Sequence, residues 1–364
     1  MSAPELHEDA FDRTGIEVSF EEITGMVQEC FQVDETSLSQ GAPTYYLKHP
    51  QETKQSFLKL LRLLDGKGLS AFLKRSNGRI VLTVVHKPAV KPGSAKMFWL
   101  LFFATVATTF ATGYFMLPAE TGISPFLSGF AFSASMLAVL GIHELGHKLA
   151  ARQRGIAASA PYFVPGPPPL GTLGAVIMQR SLPPNRDALF DVGAAGPVAG
   201  FIVALVLSAV GLTLLIPAPK PEGAAELSLM PVSWLLLARL YAAFRLLPTV
   251  SGAGEVLLLH PVAYAGWAGM VVTMINLLPA AMLDGGHVAR AVASDRQRTA
   301  LTVLSVALLL LVGPEFYFMA LFIILMSMFK HPGPLDDVSG LSRSRKLLAA
   351  ALLAVFALCF TIRV

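Results

Sequence analysis

From Phe126 to Ile142 the chain runs FLSGFAFSASMLAVLGI without a charged side chain, and comparable apolar runs occupy 97–117, 126–151, 188–217, 256–279, 299–313, 315–329 and 347–361. Runs of this kind fix the fold class. Inside hydrocarbon a peptide group finds no water, so a spanning segment must satisfy its backbone internally. Several runs approach or exceed the ~20 residues that a helix needs to cross a bilayer. Composition agrees: 54% of the 364 residues are hydrophobic, 14% are charged, and mean hydropathy is +0.60, too apolar for a soluble globular domain. The chain is therefore expected to be a polytopic α-helical protein of the lipid bilayer, with about seven spans in a range of six to eight.

The count turns on charge. Three runs are only about 15 residues long, and 299–329 is interrupted at Gly313-Pro314-Glu315, so it reads as one long helix or as a tight helical hairpin. Seven spans with the amino terminus inside put Lys96, Lys148, Arg152, Arg154, Arg180, Arg186, Arg290, Arg296, Arg298, Lys330, Arg343, Arg345 and Lys346 on the cytoplasmic side. Only Lys220, Arg239, Arg245 and Arg363 then fall outside, as the positive-inside bias requires. A single helix at 299–329 would send the RSRK cluster at 343–346 to the other side, which favours the hairpin. The same bias accounts for the net charge of +4 without nucleic acid as a partner. The start, MSAPELHEDAFDRTG, is acidic and polar, unlike a secretory signal or an Arg-rich transit peptide. The expected location is a prokaryotic cell membrane, with the amino terminus in the cytoplasm.

Residues 1–90 carry a disproportionate share of the charge and read as a small soluble α/β domain. FEEITGMVQECF (20–31) and QETKQSFLKLLRLLDG (51–66) have helical patterns, and YYLKH (45–49), LSAFLKR (69–75) and RIVLTVVHK (79–87) read as strands, with Asn77-Gly78 as a hairpin turn. A Pro/Gly-rich stretch, KPAVKPGSAK (87–96), follows, so the boundaries are drawn at 1–90, a linker at 91–96 and a membrane domain at 97–364 with its core at about 125–300. Nothing in the first domain has catalytic spacing, which leaves it free to bind a regulator.

Two segments of the membrane part are irregular. PVSWLLLARLYAAFRLLP (231–248) carries two arginines and fits an interfacial or re-entrant helix. PYFVPGPPPLGTLGAVIMQR (161–180) is too proline-rich for a helix, while GTLGAVIM within it reads as a strand or hairpin, tolerable at membrane depth only where protein or a water-filled cavity receives its backbone.

Chemistry enters at the end of the uncharged run, where His143, Glu144 and His147 form H-E-x-x-H. Residues four apart share a helix face, so both imidazoles can meet one metal, and Glu144, on the neighbouring face, can hold a water without being a ligand. Three ionisable groups within five residues beside hydrocarbon are costly, which favours function over helix packing. Cys30 and Cys359 lie at opposite ends of the chain, so the metal must use His and carboxylate ligands. Two imidazoles leave the site incomplete. MVVTMINLLPAAMLDGGHVAR (270–290) is the candidate partner, with Asn276, a helix-weakening Pro279, Asp284, a Gly pair and His287. Both Asp284 and His287 are possible third ligands, since three imidazoles also bind zinc well. A carboxylate offsets part of the metal's charge in a low-dielectric site, which favours Asp284.

HELGH on the second span followed by N-x-x-P-x-x-x-x-D-G (Asn276, Pro279, Asp284, Gly285) on a later one resembles the site-2 protease family of intramembrane zinc metalloproteases. The resemblance extends through GTLGAVI (171–177), DVGAAGPVAG (191–200) and HPGPLDD (331–337), covering roughly residues 125–340. The extra amino-terminal domain and apolar tail resemble its plastid and archaeal branch. It implies one zinc ion per chain held by His143, His147 and Asp284, with Glu144 as the base and Asn276 near the reacting carbonyl. It also implies cleavage of membrane-spanning protein substrates near the cytoplasmic side. Gly171, Thr172, Leu173, Gly174, Ala175 and Val176 would offer an edge to which an unwound substrate adds as a strand. Where many members carry Gly-Pro before the Leu-Asp, this chain has Ala281-Met282. The competing expectation is a metal-dependent transporter or channel with His143, His147, Asp284 and His287 as a transit site, against which stands the lack of internal repeats.

Overall fold

A computed structural model of the chain describes residues 18–39, 41–87, 93–220, 228–250, 254–329 and 332–363. The amino-terminal stretch with His7, residues 88–92 of the Pro/Gly-rich stretch, and Lys330 and His331 lie outside the described residues. The chain forms two compact units.

The first unit is built from α1 (Phe20–Cys30), β1 (Val33–Ser39), β2 (Ala42–Leu47), α2 (Lys54–Asp65), β3 (Leu69–Ser76) and β4 (Arg79–His86). Ser19 starts α1 by accepting the Glu22 N–H at 3.2 Å, and the Glu52 carboxylate receives the Gln55 and Ser56 N–H groups at 2.9 and 3.0 Å at the head of α2. The four strands form an antiparallel sheet in the order β1-β2-β4-β3. Asn77 and Gly78 both have positive φ, +50° and +80°, which matches the right-handed strand twist in a two-residue hairpin. Alternation along β3 and β4 sends Leu69, Leu73, Ile80 and Leu82 to one face, where they meet Phe57 and Leu60 of α2.

The outer edge of β3 is covered by chain from far away. The Leu73 N–H donates to the Leu335 carbonyl at 2.8 Å, and the Asp337 N–H donates to the Leu73 carbonyl at 3.0 Å. On the other side of that segment, the Leu335 and Asp336 N–H groups donate to the Pro183 and Pro184 carbonyls at 2.9 and 3.1 Å. Side chains fasten both pieces: Arg186 bonds the Asp337 carboxylate at 3.1 Å and Lys54 pairs with Asp187 at 2.8 Å. Among the described residues, the unit therefore comprises 18–39 and 41–87 together with 182–187 and 332–341.

The second unit contains α3 (Ala95–Tyr114), α4 (Pro125–Gln153), β5 (Tyr162–Pro165), β6 (Thr172–Val176), most of α5 (Arg186–Thr213), β7 (Ile216–Pro219), β8 (Leu229–Pro231), α6 (Val232–Ala243), β9 (Glu255–Leu258), α7 (Pro261–Leu277), α8 (Asp284–Val292), α9 (Asp295–Val312), α10 (Tyr317–Ser327), α11 (Arg343–Cys359) and β10 (Thr361–Arg363). Among the described residues, α3, α4 and α5 are long and apolar enough to cross a membrane, at 20, 29 and 28 residues. The interruption at Gly313 separates α9 from α10, and the two pack on each other. Segment 231–248 forms the short α6. GTLGAV is one arm of an antiparallel pair, β6 against β5 in YFVP, with Val176 opposite Tyr162 and Gly174 opposite Val164. The pair has two strands only, so the far edge of β6 carries no strand partner among the described residues, and Leu173 and Val176 on it are 70% and 54% exposed. Two further pairs join β7 to β9 and β8 to β10.

Candidate metal centre

His143 and His147 stand one turn apart on α4, with their Nε2 atoms 3.1 Å apart. Asp284, the first residue of α8, completes a triangle: its Oδ2 lies 3.2 Å from His143 Nε2 and its Oδ1 lies 3.3 Å from His147 Nε2. A tetrahedral zinc with bonds of roughly 2.0–2.1 Å to nitrogen and oxygen spaces its ligand atoms roughly 3.3–3.4 Å apart. The three edges fit that ion, and the donor set of two imidazoles and one carboxylate is one that zinc accepts. His143 and Glu144 are buried, and the ligand atoms of His143, Glu144 and His147 all lie within 4.8 Å of one another.

Ring orientation is fixed from α5. His147 Nδ1 lies 2.7 Å from the Val192 carbonyl, which can only accept, so Nδ1 carries the proton and Nε2 turns a lone pair to the centre. The Asn276 amide nitrogen, on the last turn of α7, is 3.4 Å from His143 Nε2. The backbone N–H of Ile177, just past β6, is directed at the Glu144 carboxylate, so the free-edged strand runs beside the catalytic candidate.

Asp284 is delivered by a break between α7 and α8. Pro279 cannot continue the helical ladder, and Ala281 takes φ +46°, a left-handed conformation that costs a non-glycine residue roughly 1–2 kcal/mol. Gly285 and Gly286 are helical rather than part of the break. They lie in the first turn of α8, where a Cβ at Gly285 would collide with the Leu277 carbonyl and one at Gly286 with the Ala281 carbonyl. Their small size lets α8 start against the end of α7.

The stretch DVGAAGPVAG (191–200) carries no ligand-type spacing in its sequence, yet it lines the centre. In the structure Gly193, Gly196 and Gly200 form a stripe on α5 against the centre. A Cβ at Gly193 would stand 2.9 Å from the Asp284 carbonyl, one at Gly196 would fall on the His147 imidazole, and one at Gly200 would stand 2.9 Å from His143 Nδ1. The spacing i, i+3, i+7 of small residues on an apolar helix is the signal that marks such a face. His287 lies outside the triangle, and its Nδ1 donates to the Leu283 carbonyl at 3.0 Å.

Residues 131–320 match the family described as Peptidase family M50. A probable zinc metalloprotease EGY1, chloroplastic, from Oryza sativa subsp. japonica is 28% identical over 326 residues, covering 79% of this chain and 54% of the relative. A probable zinc metalloprotease EGY2, chloroplastic, from Arabidopsis thaliana is 35% identical over 206 residues, covering 55% of this chain and 35% of the relative. A probable zinc metalloprotease EGY1, chloroplastic, from Arabidopsis thaliana is 32% identical over 237 residues, covering 61% of this chain and 41% of the relative. The chain spans about half or less of the length of these relatives. No solved structure matches. The expectation of a prokaryotic cell membrane is corrected here: the relatives are named as chloroplastic proteins, which points to a plastid membrane. Composition and charge bias could not separate the two, because both membranes impose the same hydrocarbon constraint.

Proposed function

Because the chain belongs to peptidase family M50, the site-2 protease family, we propose that it is an intramembrane zinc endopeptidase that hydrolyses peptide bonds of membrane-spanning proteins. The observation that carries the reading is the triangle of donor atoms with edges of 3.1 to 3.3 Å, with Glu144 beside it. His143, His147 and Asp284 would hold the zinc ion, which when bound supplies a Lewis acid for water and for the scissile carbonyl. Glu144 takes a proton from the attacking water and returns it to the leaving amine nitrogen. The Asn276 side-chain N–H donates to the carbonyl oxygen as negative charge develops there. His147 keeps its orientation through the Val192 carbonyl, so the site is organised before substrate arrives.

Position sets the substrate class. His143 lies ten residues before the end of α4 at Gln153, roughly 15 Å along a helix, so the bond cut lies within the membrane near the face where α4 ends. A helical substrate shields its amides with its own hydrogen bonds and must unwind there. The open edge of β6, over residues 171–176, can pair with the extended stretch, with Leu173 and Val176 offering apolar contact. A seven-span arrangement of α3, α4, α5, α7, α9, α10 and α11 is supported by two pairings. Segment 335–337 lies on the β3 edge after six of those helices, and β10 pairs with β8 with four of them between, even numbers in both cases.

The test is zinc analysis of the detergent-purified protein and cleavage of a panel of single-span proteins, beside Glu144→Gln. The variant should keep one zinc per chain and hydrolyse nothing. Loss of metal from it would make Glu144 a ligand, and metal flux without hydrolysis in the unaltered protein would favour the transporter.

A further inference from the structure

We propose that Asp191 is a positioning residue for the metal centre, acting through the turn of α5 that seats His147 and Asp284, and that Arg345 of α11 is its second anchor. The inference rests on the metal reading above.

Three consecutive residues of α5 carry it. Asp191 is gripped from two other helices: Arg154, the cap residue two turns after His147 on α4, pairs with Oδ2. Arg345, in the first turn of α11, closes a fork on the same carboxylate, Nε to Oδ1 at 3.0 Å and Nη2 to Oδ2 at 2.9 Å. Val192 supplies the carbonyl that accepts the His147 Nδ1–H at 2.7 Å. Gly193 is the seat on which the backbone of Asp284 rests, since a Cβ there would stand 2.9 Å from the Asp284 carbonyl. The residue that orients one ligand and the residue that seats another thus directly follow the doubly held carboxylate.

The geometry of the grip suits positioning. A bidentate guanidinium–carboxylate pair fixes rotation as well as distance, unlike a single lysine contact. The side chains of Asp191 and Arg345 are only 20% and 21% exposed, so water competes weakly for them. Arg345 is also held by Ser342 Oγ, the N-cap side chain of α11, which accepts from Nη1 at 3.1 Å. The carboxy-terminal helix contributes no donor to the triangle, yet through Arg345 it reaches the turn that orients one.

The experiment uses the full chain in detergent as Asp191→Asn, Arg345→Ala and Arg345→Lys. Zinc affinity is read by chelator competition, ligand geometry by the absorption of the cobalt-substituted protein, and folding by thermal unfolding in excess zinc. Asp191→Asn should weaken zinc binding on the order of 10-fold, the low end for groups that orient metal ligands, and shift the cobalt bands. Arg345→Ala should do so by a smaller factor, and Arg345→Lys should recover part of the loss, whereas a packing role alone would change only the unfolding temperature. If the unaltered protein binds no zinc, the metal reading falls and this proposal with it. If it binds zinc and Asp191→Asn and Arg345→Ala match it in affinity and cobalt spectrum, the positioning role alone is overturned. Should Asp191→Asn not fold, wild-type affinity in Arg345→Ala overturns the role of the α11 anchor, and a loss partly restored by Arg345→Lys supports it.

Discussion

Gly196→Ala puts a single methyl group where the structure has no room for it. The new Cβ would fall on the ring of His147, among Nε2, Cδ2 and Cε1. α5 cannot back away freely, because its Asp191 carboxylate is tied to Arg154 of α4 and to Arg345 of α11. The imidazole must therefore turn, giving up its 2.7 Å bond to the Val192 carbonyl and taking Nε2 off the centre. Without metal the ring is free to turn and the strain is relieved, so the cost falls on the metal-bound state. Overpacking of this kind costs about 1–3 kcal/mol and the lost hydrogen bond about 1 kcal/mol. Together these predict zinc binding weaker by roughly 30- to 1000-fold at 1.4 kcal/mol per decade. Gly200→Ala is the graded companion, since its Cβ would stand 2.9 Å from His143 Nδ1 and 3.2 Å from its Cβ, a shortfall the ring can absorb. Less than about 5-fold is expected there, for a strain below about 1 kcal/mol. Val206→Ala, at an exposed position on the same helix, should change nothing. Chelator competition on the purified variants gives the order. Zinc affinity in Gly196→Ala within twofold of the unaltered protein, or a larger loss in Gly200→Ala, would refute the idea that α5 cradles the ligands.

Three further outcomes are expected. Asp284→Ala should lose both bound zinc and proteolysis while His287→Ala keeps zinc and much of the activity; the reverse pattern in a metal assay would move the third ligand to His287. Leu173→Asp and Val176→Asp on the open edge of β6 should raise KM about 10-fold, the value of one apolar contact of about 1.4 kcal/mol, with zinc content unchanged; an effect on metal content instead would place β6 in the site's framework. In a chain without its native cysteines, Lys67→Cys and Gly340→Cys should label together with an impermeant thiol reagent in sealed vesicles and Leu246→Cys from the opposite face, and separation of the first two would break the seven-span arrangement.

The ligand candidates were legible because their spacing is local: four residues on one helix, and a carboxylate just beyond an apolar run. The hairpin at Asn77-Gly78 was legible for the same reason, since the φ requirement of the turn selects those two residue types. The strand read at 45–49 instead spans Ala42–Leu47, and β1, VDETSLS, was missed altogether. It has no fully buried position, so no apolar alternation is written into it. The part played by α5 was hidden for another reason. Gly193, Gly196 and Gly200 look like ordinary small residues of a membrane helix until the side chains of His143 and His147 and the backbone of Asp284, for which they make room, are in place. The location was illegible on physical grounds, because hydrophobicity records that a membrane is present and not which one.

The covering of β3 by residues 335–337 bears on how the protein is made. The first unit needs Leu335 and Val338 for its core and 335–337 for its sheet edge, yet those residues are translated only after α3, α4, α5, α7, α9 and α10. Until then an emerging chain carries an unpaired β3 edge, a template for unwanted pairing. A chain that ends before residue 335 leaves that edge open, whereas one in which 335–337 has emerged supplies the two backbone hydrogen bonds that cover it. The last loop before α11 would then act as a seal on biogenesis, and protease resistance of the first unit would mark a chain whose synthesis has passed that point.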